Sequence, residues 1–229
     1  MLRRPIPDER PDRPITGFKL AHAVLSADGT RTGFAGLSIG AHRVYGVAAV
    51  ASCVWNRRHT PPKRRCGCGF YCLSTLAAAQ ARSCATDNRV AVLLEVAASG
   101  RYIRYERGLR YGRQRVRAIR VGACRCGRPA QGLVDAGSGF VGWRRLAMAC
   151  PACAADRPSV TLGQFAGLLD EPVPIGADAG MMPDLAGTGE PPLTASAAVL
   201  TAEVALMQAR LDDLQARVAH LYAGPAGDD

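Results

Sequence analysis

Two close cysteine pairs, Cys124-Arg-Cys126 and Cys150-Pro-Ala-Cys153, constrain this chain more than any other feature. Each pair offers two sulfurs from one tight turn, and four thiolates from two such turns match the closed tetrahedral shell of a structural zinc ion. Between the pairs the sequence reads as a hairpin, with Gly132 to Val134 and Trp143 to Met148 as strands and Asp135 to Gly139 as the turn. The segment is therefore expected to form a zinc ribbon. A competing reading makes Cys150 and Cys153 the redox pair of a thiol-disulfide oxidoreductase, which places that spacing at a helix start after a strand. Against it, Pro158 closely follows the motif, and Cys124 with Cys126 supplies the two missing metal ligands.

A second group lies upstream, where Cys53, His59, Cys66 and Cys68 make a Cys3His set suited to a second zinc. Gly67 and Gly69 allow the tight turn that points neighbouring thiolates inward. Cys72 and Cys84 compete with Cys53 or His59 as ligands, or are buried as small apolar residues. The alternative without metal makes the Gly-Cys-Gly turn a packing element.

The need for such staples follows from composition. Hydrophobic residues make up 48% of the 229, but many are alanine, and 25 glycines and 15 prolines leave few bulky side chains to bury. A thin core of this kind gains from bound metal. Nine cysteines without an export-type apolar leader point to metal or thiolate chemistry rather than disulfides. The longest strongly apolar uncharged stretch, Val44 to Trp55, is twelve residues, short of the roughly 20 that span a bilayer. A soluble, cytoplasmic protein without membrane contact is expected.

The residues around the first cluster resemble an uncharacterised, mainly actinobacterial family. Its members carry Ala-x-Cys, then His-x-x-Pro-x-x-x-Cys-x-Cys-Gly, an aliphatic residue and Tyr-Ala. Ala51, Cys53, His59, Pro62, Cys66, Cys68, Gly69 and Tyr71 match, while Phe70 and Cys72 depart from the pattern. The similarity runs weakly from Ile15 to Val121. It implies a metal- or thiol-bearing motif in a compact α+β domain and brings no activity with it.

Charge divides the chain sharply. Between Cys53 and Arg128 there are 17 Lys and Arg against 3 Asp and Glu, whereas Asp170 to Asp229 holds 2 against 10. Arg113, Arg115 and Arg117 alternate with Gln114, Val116 and Ala118, so a strand there would project three guanidinium groups from one face. With Arg64, Arg65 and Arg104 they form a candidate nucleic-acid-binding set, arginine being suited to bidentate phosphate contacts. Tyr102, Tyr105 and Tyr111 are interleaved and suited to base stacking. A charged face that is only solvated is the bland alternative.

Near the C-terminus, Leu200, Val204, Met207, Leu211, Leu214, Val218 and Leu221 follow at steps of four and three, the seam of a heptad repeat. Val204, Leu211 and Val218 fall at a and the others at d, which favours a parallel two-stranded coiled coil and hence a homodimer. A helix folding back on its own domain would carry the same stripe.

The expected architecture is α+β. A disordered segment 1–14 precedes a mixed domain 15–121 with the first cluster, then a zinc ribbon and short helix 122–169, a linker 170–193, a coiled-coil helix 194–222 and a tail 223–229. Within the first domain Tyr71 to Arg82 reads as a helix, and Thr161 with Gln164 as a capping box. The expected function is that of a dimeric nucleic-acid-binding accessory protein with two zinc ions per chain, acting on DNA or RNA. The alternative is a protein-interaction or assembly scaffold. No phosphate-cradling glycine loop, paired acid/base carboxylates or open metal site marks an enzyme.

Overall fold

The computed structural model describes residues 12–37, 43–53, 59–84, 88–155 and 157–181. Its strands are β1 (Ile15–Ser26), β2 (Thr32–Ala35), β3 (Val44–Tyr45), β4 (Ala48–Val50), β5 (Phe70–Leu73) and β6 (Val92–Tyr105). They continue with β7 (Gly108–Val121), β8 (Gly132–Phe140), β9 (Trp143–Ala149), β10 (Ser159–Thr161) and β11 (Ile175–Ala177). Three short helices, α1 (Leu76–Ser83), α2 (Pro151–Ala154) and α3 (Leu162–Gly167), and a 3-10 turn at Ala179–Met181 complete the described elements.

Strand β1 serves two sheets in succession. Ile15–Ala21 pairs antiparallel with β6, after which His22–Leu25 pairs with β2 and Ala23–Ser26 with β9. Alternation along β1 sends Ala21, Ala23 and Leu25 into the main core and Phe18 and Leu20 to the opposite side, where α1 covers them through Leu76 and Ala79. On the far side of β6, the 14-residue strand β7 pairs along nearly its whole length. Its other edge is taken in turn by β5, β4 and, in parallel, β11. Because β5 also meets β1, with Phe18 opposite Leu73, the pairings β1, β6, β7 and β5 close into a circuit. Closure satisfies strand edges that would otherwise be open to other chains.

Two irregularities keep the long β6/β7 hairpin in phase with the core. The register slips at Arg117, so Val116 and Ile119 both turn inward. It slips again between Ser99 and Tyr102, where Gly100 takes a φ of 75°. Close approach also dictates glycine at Gly108, where a Cβ would stand 2.1 Å from the Cys72 carbonyl oxygen. The main core joins both sheets: Phe34 packs edge-on against Phe165 at 6.1 Å, and Phe70 lies 5.5 Å from Tyr45 and 6.0 Å from Tyr111. At the end of this core Lys19 lies over the rings of Tyr45 and Phe70 and hydrogen-bonds Gln114 at 3.4 Å. Burial brings its ammonium down to about 8, against the pull of Cys72.

The expected α+β class is overturned: the fold is mostly antiparallel β-sheet with three short helices. The first three residues of the expected helix over Tyr71 to Arg82 are strand, because Phe70–Leu73 completes the closed circuit. The helix starts only after Thr75, whose hydroxyl accepts from the Ala78 N–H. The β8/β9 hairpin is not a free-standing ribbon, since β9 pairs with β1 and the described residues all belong to one compact unit. Its turn falls at Val141–Gly142 instead of Asp135–Gly139, with Gly142 at a φ of 79° and Phe140 opposite Trp143. The capping box is present: the Thr161 hydroxyl accepts from Gln164 N at 3.1 Å, and Gln164 Oε1 accepts from Thr161 N at 2.9 Å.

Part of the expected linker carries structure. Pro174 accepts from Ile119 N at 2.9 Å, β11 joins β7, and Asp178 N donates to Val121 O at 2.9 Å. Residues 1–11 and the heptad seam from Leu200 to Leu221 lie outside the described residues. Among the described residues no helix is long and apolar enough to cross a membrane.

His22 supplies a pH signature. It is 7% exposed, its Nδ1 has no partner, and burial together with Arg145 on the same face lowers it to about 4. Between pH 6.5 and 4 the unfolded chain takes up the proton that the folded chain refuses, so stability rises with pH across that window. Acidification through it is expected to cost on the order of 2–3 kcal/mol from this group. In urea melts, His22→Gln will show a shallower loss than the parent over the same window; identical slopes would contradict the assignment.

Candidate metal centres and basic face

The second cysteine group sits where β7 leaves the sheet and β9 ends. After Val121 the chain makes a tight turn in which Cys124 N donates to Arg128 O at 2.8 Å and Gly127 N to Cys124 O at 2.8 Å. Gly127 takes a φ of 84° there, a conformation that glycine adopts without strain. Cys150 caps α2, with Pro151 in its first turn, and Cys153 N donates to Cys150 O at 3.1 Å. The motif thus does open a helix after a strand, as in redox enzymes, but the helix is four residues long. The sulfurs of Cys124, Cys126, Cys150 and Cys153 all lie within 4.8 Å of one another.

These distances fit a metal ion better than a disulfide. Cys126 Sγ and Cys150 Sγ are 3.5 Å apart, near the edge of about 3.8 Å of a tetrahedron built on zinc–sulfur bonds of about 2.3 Å. A disulfide would need about 2.05 Å. The electrostatics agree. Burial works against ionising Cys124, yet backbone N–H groups of Cys126 and Cys150 prevail and bring it to about 7. The Cys153 N–H likewise lowers Cys150. Cys153 is pushed up to about 12 by hydrogen bonds with the sulfurs of Cys126, Cys124 and Cys150. Four thiolates cannot crowd together uncompensated, and a divalent cation supplies the missing charge.

The first group is assembled from Cys53, three residues beyond the end of β4, and from His59, Cys66 and Cys68 on the stretch leading into β5. Cys53 Sγ and Cys66 Sγ are 3.7 Å apart, and His59 Nε2 lies 3.2 Å from Cys68 Sγ. Cys53, His59, Cys66 and Cys68 again converge within 4.8 Å, so both predicted groups can hold a metal ion. Burial raises the Cys68 thiol to about 11, so a cation is needed to hold it as thiolate at neutral pH. The rival ligands stand elsewhere. Cys72 faces the main core, and Cys84 is exposed at the end of α1 with its thiol toward Gln80 O at 3.5 Å.

Arg110 ties this turn to the sheet. Its guanidinium donates to the carbonyls of Cys66 and Lys63, the latter at 3.2 Å, and lies 5.7 and 5.9 Å from the ring centres of Tyr71 and Tyr105. Sequence reading did not assign Arg110 a role. The available signal was its register: Tyr71 and Arg110 are direct cross-strand partners.

The basic face is real in part. Arg113, Arg115 and Arg117 are exposed on one side of β7, with Gln114 and Val116 buried on the other. Arg64 and Arg65 stand exposed on the first cluster's turn, which packs against Gly112 at the end of this row. Arg104 does not join them. It lies opposite Leu109, stacks on Tyr102 at 5.6 Å and emerges on the other side of β6. Tyr102 and Tyr111 are buried, and Tyr111 donates to Gln114 Oε1 at 3.0 Å, so of the three tyrosines read as stacking residues Tyr105 alone is exposed.

The flanks of the arginine row are small. Ala48 and Val50 lie across from Arg115 and Arg113 on β4, and Ala97 and Ser99 on β6. The resulting trough of about 410 Å³ is bounded by Pro14 at one end. Glu171 pairs with Arg115, while among the described residues no carboxylate forms an ion pair with Arg113 or Arg117.

No family model, curated protein or solved structure matches this chain.

Protein purified without added metal is expected to carry about two metal ions per chain, one for each group. Cys126→Ser will lose one equivalent and lower the melting temperature, because the metal's binding energy is folding energy. Cys84→Ser will change neither. Retention of both equivalents in Cys126→Ser, measured by mass spectrometry of the metal, contradicts the ligand assignment.

Proposed function

We propose that the chain is a nucleic-acid-binding accessory protein whose two metal sites hold structural zinc. The observation that carries this reading is the row Arg113, Arg115 and Arg117, exposed along one strand beside a trough with small walls. Alternate residues of a strand stand about 6.7 Å apart, so successive guanidinium groups reach successive backbone phosphates. Arg64 and Arg65 extend the row from the first metal turn, held in place by Arg110. Zinc suits both donor sets, and a full shell of protein ligands gives it a structural role.

Phosphate neutralisation makes such binding steeply salt-dependent. Arg113→Ala and Arg117→Ala are each expected to reduce the slope of log affinity against log salt by about one. Arg115→Ala will reduce it less, because Glu171 already offsets part of its charge. Titrations of a labelled DNA at several salt concentrations measure this, and a slope unchanged in all three variants would sink the reading.

The heptad seam from Leu200 to Leu221 adds a proposal of self-association, two copies presenting two basic faces. Removal of residues 194–229 should convert a dimer to a monomer in analytical ultracentrifugation. A truncated chain that still sediments as a dimer refutes the seam.

A further inference from the structure

We infer that the basic trough takes single-stranded nucleic acid, with bases stacking on Tyr71 and Tyr105; this rests on the nucleic-acid reading above and specifies its ligand. The first observation is the narrowness of the basic row. The arginines stand in a single line on the middle strand of three, and the rows about 4.8 Å away on either side present Ala48, Val50, Ala97 and Ser99, none of them charged. One sugar-phosphate chain matches such a line. A duplex carries two phosphate chains on either side of each groove, and the row can serve one of them.

The second observation is the pair of exposed rings. Tyr71 and Tyr105 are 49% and 47% exposed, and both rings flank the Arg110 guanidinium. The register slip between Ser99 and Tyr102 returns Arg110, Arg113, Arg115 and Arg117 to the same outer side, with Tyr111 and Gln114 inside. The rings therefore stand on the side that carries the arginine row. Tyr71 is further fixed by donating to Gly67 O at 3.0 Å, on the turn that carries Cys66 and Cys68. Ring faces held in place reward bases that are free to unstack, which a duplex does not offer.

The test uses full-length protein with its metal retained and follows fluorescence anisotropy of labelled oligothymidylate and of a labelled duplex of equal length at one salt concentration. Single-strand binding at least about tenfold tighter than duplex binding is expected. Tyr105→Leu, which keeps an apolar side chain at the hairpin end, should weaken single-strand binding about fivefold or more and leave the duplex affinity unchanged. Circular dichroism and metal content confirm that the variant is folded. Equal or tighter duplex binding overturns the single-strand assignment and leaves phosphate recognition by the arginines standing. An unaltered single-strand affinity in folded Tyr105→Leu overturns the stacking role. Absence of binding to either probe overturns the assignment together with the nucleic-acid reading beneath it.

Discussion

The passage of β1 from one sheet to the other is the constraint on which the rest of the molecule depends. Its first half closes the circuit with β6, and its second half holds the hairpin whose far end carries the second cysteine group. The residues that make this possible are small: Ala21 and Ala23 are fully buried, which lets the two sheets approach over a thin core. Larger side chains enter from the flanks, with Phe34, Phe165 and Tyr111 filling what the alanines leave. Thr32 Oγ1 donating to Phe165 O at 2.7 Å then fixes α3 over that seam.

Both candidate metal centres lie at the margins of this core, and they differ in what they brace. The second group clamps the exit of β7 to the end of β9, so it ties the two sheets together at a point away from β1. The first group holds a turn with little apolar packing of its own against the outer side of β7, and Arg110 adds two carbonyl contacts to that hold. Cys124 and Cys150 are buried while Cys126 and Cys153 face solvent. That is the pattern of a site closed by two turns at a surface, as opposed to one sealed within a core.

What the sequence made legible was local. The members of both groups that can hold a metal ion could be read because tight turns deliver neighbouring sulfurs whatever the surrounding fold. The arginine row could be read because alternation along one strand needs no partner. Arg104 could not be placed, since its side depends on a slip between Ser99 and Tyr102 that involves two strands. Fold class failed for a related reason. Leu73 and Leu76 obey a helical spacing, yet one ends β5 and the other begins α1, and both cover the same outer cluster. Period alone does not separate those cases. Part of the expected linker 170–193 carries structure because Val173 and Ile175, two apolar residues among Pro and Gly, suffice to dock it on β7.

The double duty of β1 also has a temporal side. The chain is made from its N-terminus, and Ala23, paired with Phe34 on one edge, finds its partner on the other edge only when Leu146 has emerged. Pairings so distant in sequence slow folding, because loop closure precedes any gain from contact. Among the described residues the β1/β2 hairpin and the first cysteine turn are local exceptions upstream: the candidate ligands from Cys53 to Cys68 lie close together and need no distant strand to meet. A metal ion captured there would give the nascent chain an ordered point before the long β6/β7 hairpin exists, and it would shield reactive thiols during the wait.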